Sequence, residues 1–194
     1  VVVETRPEDD FALRAGAVAA RITPRTRLLV LNFPTNPTGA VIPADELAGL
    51  ADLCRRHNLI AVTDEIYSEL RYDGVPHPSL AALPGMKDRT VLLHGFSKAF
   101  AMTGFRLGYA CAPQALIEAM MKIHQYGILC APTPSQAAGI EALENGAAAM
   151  EMMRQSYDQR RRFVVDRLNG MGLPTSYPGG AFYVFPDIRA TGLS

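Results

Sequence analysis

The sequence has no tryptophan, only three cysteines and three lysines among its 194 residues, and no excess of either charge, since 19 basic side chains face 19 acidic ones. Each shortage excludes something. Zero formal charge leaves no overall field to draw a polyanion or an acidic bilayer surface, so composition gives no support to a nucleic-acid partner. Cys54, Cys111 and Cys130 are odd in number, far apart and never in a C-x-x-C arrangement, which argues against a disulfide framework and a zinc site. They read as free thiols in a reducing compartment, the cytoplasm. No run approaches the ~18 apolar residues that a membrane span needs, and Val1-Val2-Val3-Glu4 turns acidic too early for a signal peptide. No membrane partner is expected. Neither a repeat nor a low-complexity stretch occurs, and G-x-G-x-x-G, G-x-x-x-x-G-K-[ST] and G-x-S-x-G are all missing, which removes the dinucleotide, P-loop and hydrolase-elbow readings.

What is present, 48% apolar and 20% charged residues, suits a globular protein with a full core. Residues 27–32 (RLLVLN), 59–63 (LIAVT) and 90–93 (TVLL) are short, almost unbroken apolar runs, as expected of parallel strands covered on both faces. Between the first two, 43–58 reads as a helix: Pro43 suits its first turn, Asp45 and Glu46 its positive end, Leu47, Leu50, Leu53 and Cys54 share a face, and Asn58 stops it. This strand and helix alternation predicts an α/β fold, with a further strand at 107–112. Helices are expected over 114–125, 135–144 and 147 to about 169. In the last, Met150, Met153, Tyr157, Val164, Leu168 and Met171 form a stripe read as core or an interdomain seam, and Arg160-Arg161-Arg162 a solvated or ion-paired face. Gly179-Gly180 followed by 181–185 (AFYVF) reads as a new strand opening a smaller domain. With a first residue other than Met, a strand-like start at Val1 to Val3 and a polar end at Thr191 to Ser194, the chain reads as a piece of a longer protein.

Ligands of open α/β sheets bind beyond the carboxyl ends of the strands, so the polar residues leaving those ends come first. They are Asn36-Pro37-Thr38-Gly39, Asp64-Glu65-Ile66-Tyr67 and Gly95-Phe96-Ser97-Lys98. Lys98 is the most informative, because the chain uses 16 arginines but three lysines, and lysine can form a Schiff base where arginine cannot. Each residue also has a plain reading. A lysine leaving a strand is ordinarily a solvated charge, as Lys87 and Lys122 are read, Asp64 could cap the next turn, and N-P-T-G is turn chemistry without a ligand. Tyr67, three residues beyond Asp64, would fall on the same side of a helical turn and face the same ligand. His94 could stack on a bound ring or be a satisfied buried histidine, and His57, His77 and His124 lack metal-ligand spacing. No metal is expected.

Together these residues resemble the class I/II, fold-type I aminotransferases that use pyridoxal 5′-phosphate. The resemblance rests on residues 22–26 (ITPRT), Asn36-Pro37-Thr38-Gly39, Asp64-Glu65-Ile66-Tyr67, 97–109 (SKAFAMTGFRLGY) and Gly180-Ala181-Phe182-Tyr183, in the family's order and at about its spacing. It implies a three-layer α/β/α large domain with a mostly parallel sheet over 1–146, and the start of a smaller domain over 147–194. It implies Lys98 as the catalytic Schiff-base lysine and proton carrier, Asp64 on the pyridine nitrogen, and Tyr67 and Asn36 on the ring's 3′-oxygen. Ser97 and Arg106 would hold the phosphate, the guanidinium through a charge-assisted fork of ~1.5–3 kcal/mol per bond unless it serves a structural ion pair. The implied reaction moves an amino group between an amino acid and a 2-oxo acid, in a homodimer whose sites are completed across the interface. The segment 121–126 (MKIHQY) leans toward the branch acting on aspartate or aromatic amino acids. A lyase or synthase of the same fold, and a cofactor-binding regulatory domain without turnover, remain open. The resemblance places upstream the glycine-containing phosphate loop and a ring-stacking aromatic residue, and downstream the arginine for the substrate carboxylate.

Overall fold

The apolar runs assemble into one sheet of order β1-β2-β3-β4, with β1 at Leu28–Asn32, β2 at Ile60–Asp64, β3 at Thr90–Gly95 and β4 at Gly108–Cys111. The computed structural model describes residues 1–192. The first three strands are parallel and β4 runs antiparallel to β3. Asn32 pairs with Asp64 and Asp64 with Leu93, so the chain leaves β1, β2 and β3 at one edge of the sheet. This is the α/β arrangement with a mostly parallel sheet that the sequence pattern predicts.

Helix α1 spans Ala15–Ala19 and α2 Ala44–Arg56. Asp45 and Glu46 lie in the first turn of α2 and Arg55 and Arg56 in its last, each sign against the favourable end of the helix dipole. Leu47, Leu50, Ala51, Leu53 and Cys54 of α2 pack with Leu31, Leu59, Ala61, Leu80 and Met86 in the larger core cluster. Asn58 follows α2 at a φ of +49°, the left-handed stop expected of it. Glu46 ties α1 to α2 by accepting from the Ala15 amide at 2.7 Å and from Arg14 at 3.2 Å. The four-residue α3, Phe96–Ala99, leads from β3 toward β4, and α4 (Gln114–Gly127), α5 (Thr133–Asn145) and α6 (Ala147–Gly170) follow.

Several local expectations are corrected. β1 is not covered on both faces: Leu29 and Leu31 join or flank the core cluster, but Leu28 and Val30, pointing the other way, are 54% and 67% exposed. Val1 to Val3 and 181–185 form no strand, because a strand exists only where a neighbour pairs with it. Just before the second segment an isolated antiparallel bridge joins Gly180 to Arg71. Of the two readings of the α6 stripe, core or interdomain seam, the core one does not hold: Met150, Met153, Tyr157 and Leu168 are half-buried, Val164 and Met171 exposed. The residues α6 buries are Arg161 and Val165. The basic run is ion-paired as expected, yet Arg161 is buried rather than solvated. It donates to Asp73 at 2.8 and 3.1 Å, to Asp158 at 2.7 Å and to the Pro178 carbonyl at 2.8 Å, with its guanidinium 4.5 Å from the Tyr72 ring centre. Arg162 shares both carboxylates. The end of the polar terminal segment, residues 193–194, lies outside the described residues.

Candidate active site

The three loops leaving the shared sheet edge carry the residues singled out above. The β1 exit closes as a compact turn, with the Gly39 amide on the Thr35 carbonyl at 2.9 Å and the Thr35 amide on the Ala40 carbonyl at 3.0 Å, and it leaves Asn36 exposed. Gly39 has a φ of +68°, and a Cβ there would lie 2.3 Å from Pro178 Cβ. A Cβ on Gly180 would meet the Pro34 ring at 2.5 Å. These two glycines let residues 178–181 lie against the β1 exit, where the Gly180 amide donates to the Gly39 carbonyl at 3.0 Å. Ala181 is fully buried, its amide on the Leu70 carbonyl at 2.9 Å and its carbonyl accepting from the Tyr72 hydroxyl.

Phe182 and Tyr183 are thereby delivered over the exits of β1 and β2. The Tyr183 hydroxyl lies 2.6 Å from the Tyr67 hydroxyl and accepts from Asn36 Nδ2 at 3.3 Å. Tyr67 is buried, packed edge-on against Phe182 and Tyr183 with centroids 5.5 and 5.7 Å away. Tyr157 of α6 stacks on Phe182 at 5.4 Å. Into this aromatic group reaches Lys98 of α3, its Nζ 5.2 Å from the Phe182 centroid and 5.9 Å from that of Tyr67. Among the described residues its amine has no carboxylate partner and no hydrogen bond. Burial first, then the hydrogen bond shared with Tyr183 and the neighbouring Asp64 charge, push the Tyr67 phenol well above its ordinary value. Tyr67 is therefore a neutral donor across the physiological range.

Asp64 ends β2 and uses one oxygen as a cap, accepting from the Ile66 amide at 3.1 Å, so the plain reading of a turn cap holds for Oδ1. Residues 66–69 form a turn rather than regular helix, and Asp64 still lies near enough to act on Tyr67. Ser97 is half-buried beside Lys98. Arg106 is exposed at a φ of +52° and donates to the Thr103 carbonyl at 2.8 Å. It makes no ion pair among the described residues. The contacts thus link Asn36, Tyr67 and Lys98 through Phe182 and Tyr183, with Asp64 beside Tyr67, whereas no contact ties the Ser97 or Arg106 side chain to the group.

His94 takes the structural option. It stacks on Tyr109 at 5.5 Å, accepts from the Gly95 amide at Nδ1 and meets the Ser68 hydroxyl at Nε2, both at 2.8 Å, and burial lowers its proton affinity. No cluster of His, Cys, Asp or Glu among the described residues could hold a metal. Sequence reasoning gave no site role to Phe182 and Tyr183 and placed Tyr157 in a core stripe. The signal available was the Gly179-Gly180 pair just before two aromatic residues, which permits close approach to another backbone.

The donor set fits a phosphorylated pyridine aldehyde, offering an amine without a counter-ion, a carboxylate, a neutral phenol with an amide, and a hydroxyl with a guanidinium free of carboxylates. The sequence pattern of the family "Aminotransferase class I and II" matches residues 1–193. The chain belongs to this family, whose members use pyridoxal 5′-phosphate as cofactor. It is 46% identical over its whole length to aromatic-amino-acid aminotransferase 2 of Thermococcus litoralis and, equally, to aspartate aminotransferase of Pyrococcus abyssi, covering 50% of each. Among solved structures it matches the aromatic aminotransferase from Pyrococcus horikoshii OT3 with a TM-score of 0.95 and 48% identity, covering 100% of this chain and 52% of that one. Aspartate aminotransferase from Thermus thermophilus with maleate matches at a TM-score of 0.93 and 42% identity, over 98% of this chain and 50% of that one. The chain spans about half the length of the relatives it matches.

Proposed function

We propose that the protein to which this chain belongs is a pyridoxal 5′-phosphate-dependent aminotransferase exchanging an amino group between an amino acid and a 2-oxo acid. The observation that carries this reading is the Lys98 amine, held against two aromatic rings at the shared strand edge with no carboxylate to neutralise it. When bound, the cofactor supplies an aldehyde that condenses with amines and a pyridinium ring that accepts the electrons left when a Cα proton departs.

The chain's own residues then have separable tasks. Lys98 Nζ would hold the cofactor through its aldehyde and, when free, would serve as the base that takes up the substrate Cα proton. The Asp64 carboxylate keeps a proton on the pyridine nitrogen, which preserves the ring's electron-withdrawing power. Asn36 Nδ2 and the Tyr67 hydroxyl donate to the ring oxygen and stabilise its ionised form. Ser97 and Arg106 bind the phosphate, the latter from a backbone turn that leaves its guanidinium exposed. The donor is of the aspartate or aromatic class, a choice supported by the names of the relatives and by the segment 121–126. Residues 147–194 open a second, smaller unit, the assembly is a homodimer, and the three free thiols accord with a cytoplasmic enzyme.

The test is product analysis on the full-length protein with the cofactor, supplying aspartate or an aromatic amino acid with and without a 2-oxo acid. A new amino acid that forms only when the 2-oxo acid is present is the expected result. Release of ammonia, or cleavage of the donor independent of the acceptor, would make it a lyase instead.

A further inference from the structure

Tyr183 stands where two proposed cofactor ligands meet, and nothing above gives it a task. It comes from a segment about 150 residues beyond Asn36 in sequence, yet its hydroxyl sits between Asn36 Nδ2 at 3.3 Å and the Tyr67 hydroxyl at 2.6 Å. Its place is held from behind by the Gly180 and Ala181 backbone bonds to Gly39 and Leu70 and by its tilted contact with Phe182 at 4.8 Å. A phenol that accepts from one side chain and shares a proton with another fixes the direction in which each points. We infer that Tyr183 is a positioning residue for the cofactor: its hydroxyl holds Asn36 and Tyr67 converged on the place the ring oxygen is to occupy.

This inference rests on the proposed cofactor reading and extends it to a residue that touches the ligands rather than the reacting atoms. Its physical content is pre-organisation. Two polar side chains already gathered on folding do not have to be ordered again on binding, and the saving appears as affinity. The charged groups around the trio are Asp64, which acts on Tyr67 from the β2 exit, and Lys98, whose Nζ faces the Tyr67 ring from α3.

The decisive variant is Tyr183→Phe in the full-length protein, which keeps the ring and its packing and removes only the hydroxyl. Cofactor affinity is expected to fall about threefold to tenfold, the worth of one ordinary hydrogen bond. The pH midpoint of the bound cofactor's visible absorbance should rise, because a less well-aimed Tyr67 stabilises the ionised ring oxygen less. In the Tyr67→Phe background the same substitution should change neither quantity further, since its effect passes through Tyr67. A readout without cofactor completes the test: in ring-labelled tyrosine NMR at neutral pH, the Tyr67 Cζ resonance should move in Tyr183→Phe, reporting the lost hydroxyl contact. Unchanged affinity and midpoint, or equal losses in both backgrounds, overturn the inference while leaving the cofactor reading intact. A wild-type protein that takes up no pyridoxal 5′-phosphate overturns both together, even if the Tyr67 resonance shifts as expected.

Discussion

At the scale of single residues, the most legible feature was Lys98, because a chain that otherwise chooses arginine placed a lysine directly beyond a strand. Its surroundings were less legible: Tyr183 reaches Tyr67 only because Gly39 and Gly180 allow two backbones to touch, and no local pattern reports a contact between segments so far apart. Arg161 likewise looked like part of a charged face, since periodicity places a side chain on a helix but does not say what Asp73 and Tyr72 will bring to it. Its role leads to a pH prediction. The Arg161 hydrogen bonds hold the Asp73 carboxyl below the usual carboxylate range in the folded state. A group so depressed contributes stability that is full above its unfolded value, near pH 4, and is lost as pH falls through the folded value. The wild-type chain should therefore lose stability more steeply below about pH 4 than Asp73→Asn, as followed by urea unfolding over that range. Equal acid slopes would show that the pair carries no coupling. Arg161→Ala should cost about 1–3 kcal/mol at neutral pH, for it leaves the Pro178 carbonyl without its donor, while Arg162 still pairs with both carboxylates.

At the scale of elements, the parallel strands and their connecting helix were readable from apolar runs and end signals, with boundaries within a few residues. The failures share a cause. Residues 1–3 and 181–185 carry strand-like composition, but a strand is a pairing and its partner is not written in its own residues. The second segment instead serves as a rigid arm across the β1 exit. Substituting its hinge residue tests this: Gly180→Ala would drive a Cβ to 2.5 Å from the Pro34 ring and 3.0 Å from the Leu70 carbonyl. The expected result is a loss of about 1–3 kcal/mol, as for other overpacked sites, together with loss of the Tyr67 to Tyr183 hydrogen bond in the tyrosine spectrum. A Gly180→Ala protein with wild-type stability and an intact tyrosine pair would mean that the arm has room to move. Gly16, by contrast, has nothing within 4 Å of a Cβ and should accept alanine without loss.

At the scale of the whole molecule, the chain is half of what its relatives contain, and its surface bears this out. Leu28 and Val30 on β1 and Met121, Ile123, Tyr126, Ile128 and Leu129 in and after α4 are exposed large apolar side chains. Patches of that kind associate in water. The 194-residue chain alone should self-associate into mixed species in sedimentation at concentrations where the full-length protein is expected to give a single discrete one. A monodisperse monomer of the isolated chain would contradict the prediction. No helix among the described residues is long and apolar enough to cross a membrane. The three strand exits converge at one sheet edge, and what is proposed to happen there depends on a single amine. The most direct test is borohydride reduction of the full-length protein loaded with pyridoxal 5′-phosphate, followed by peptide mass mapping. A stable adduct on Lys98 alone is predicted. An adduct on Lys87 or Lys122 instead, or none in a protein that has bound the cofactor, would contradict the account.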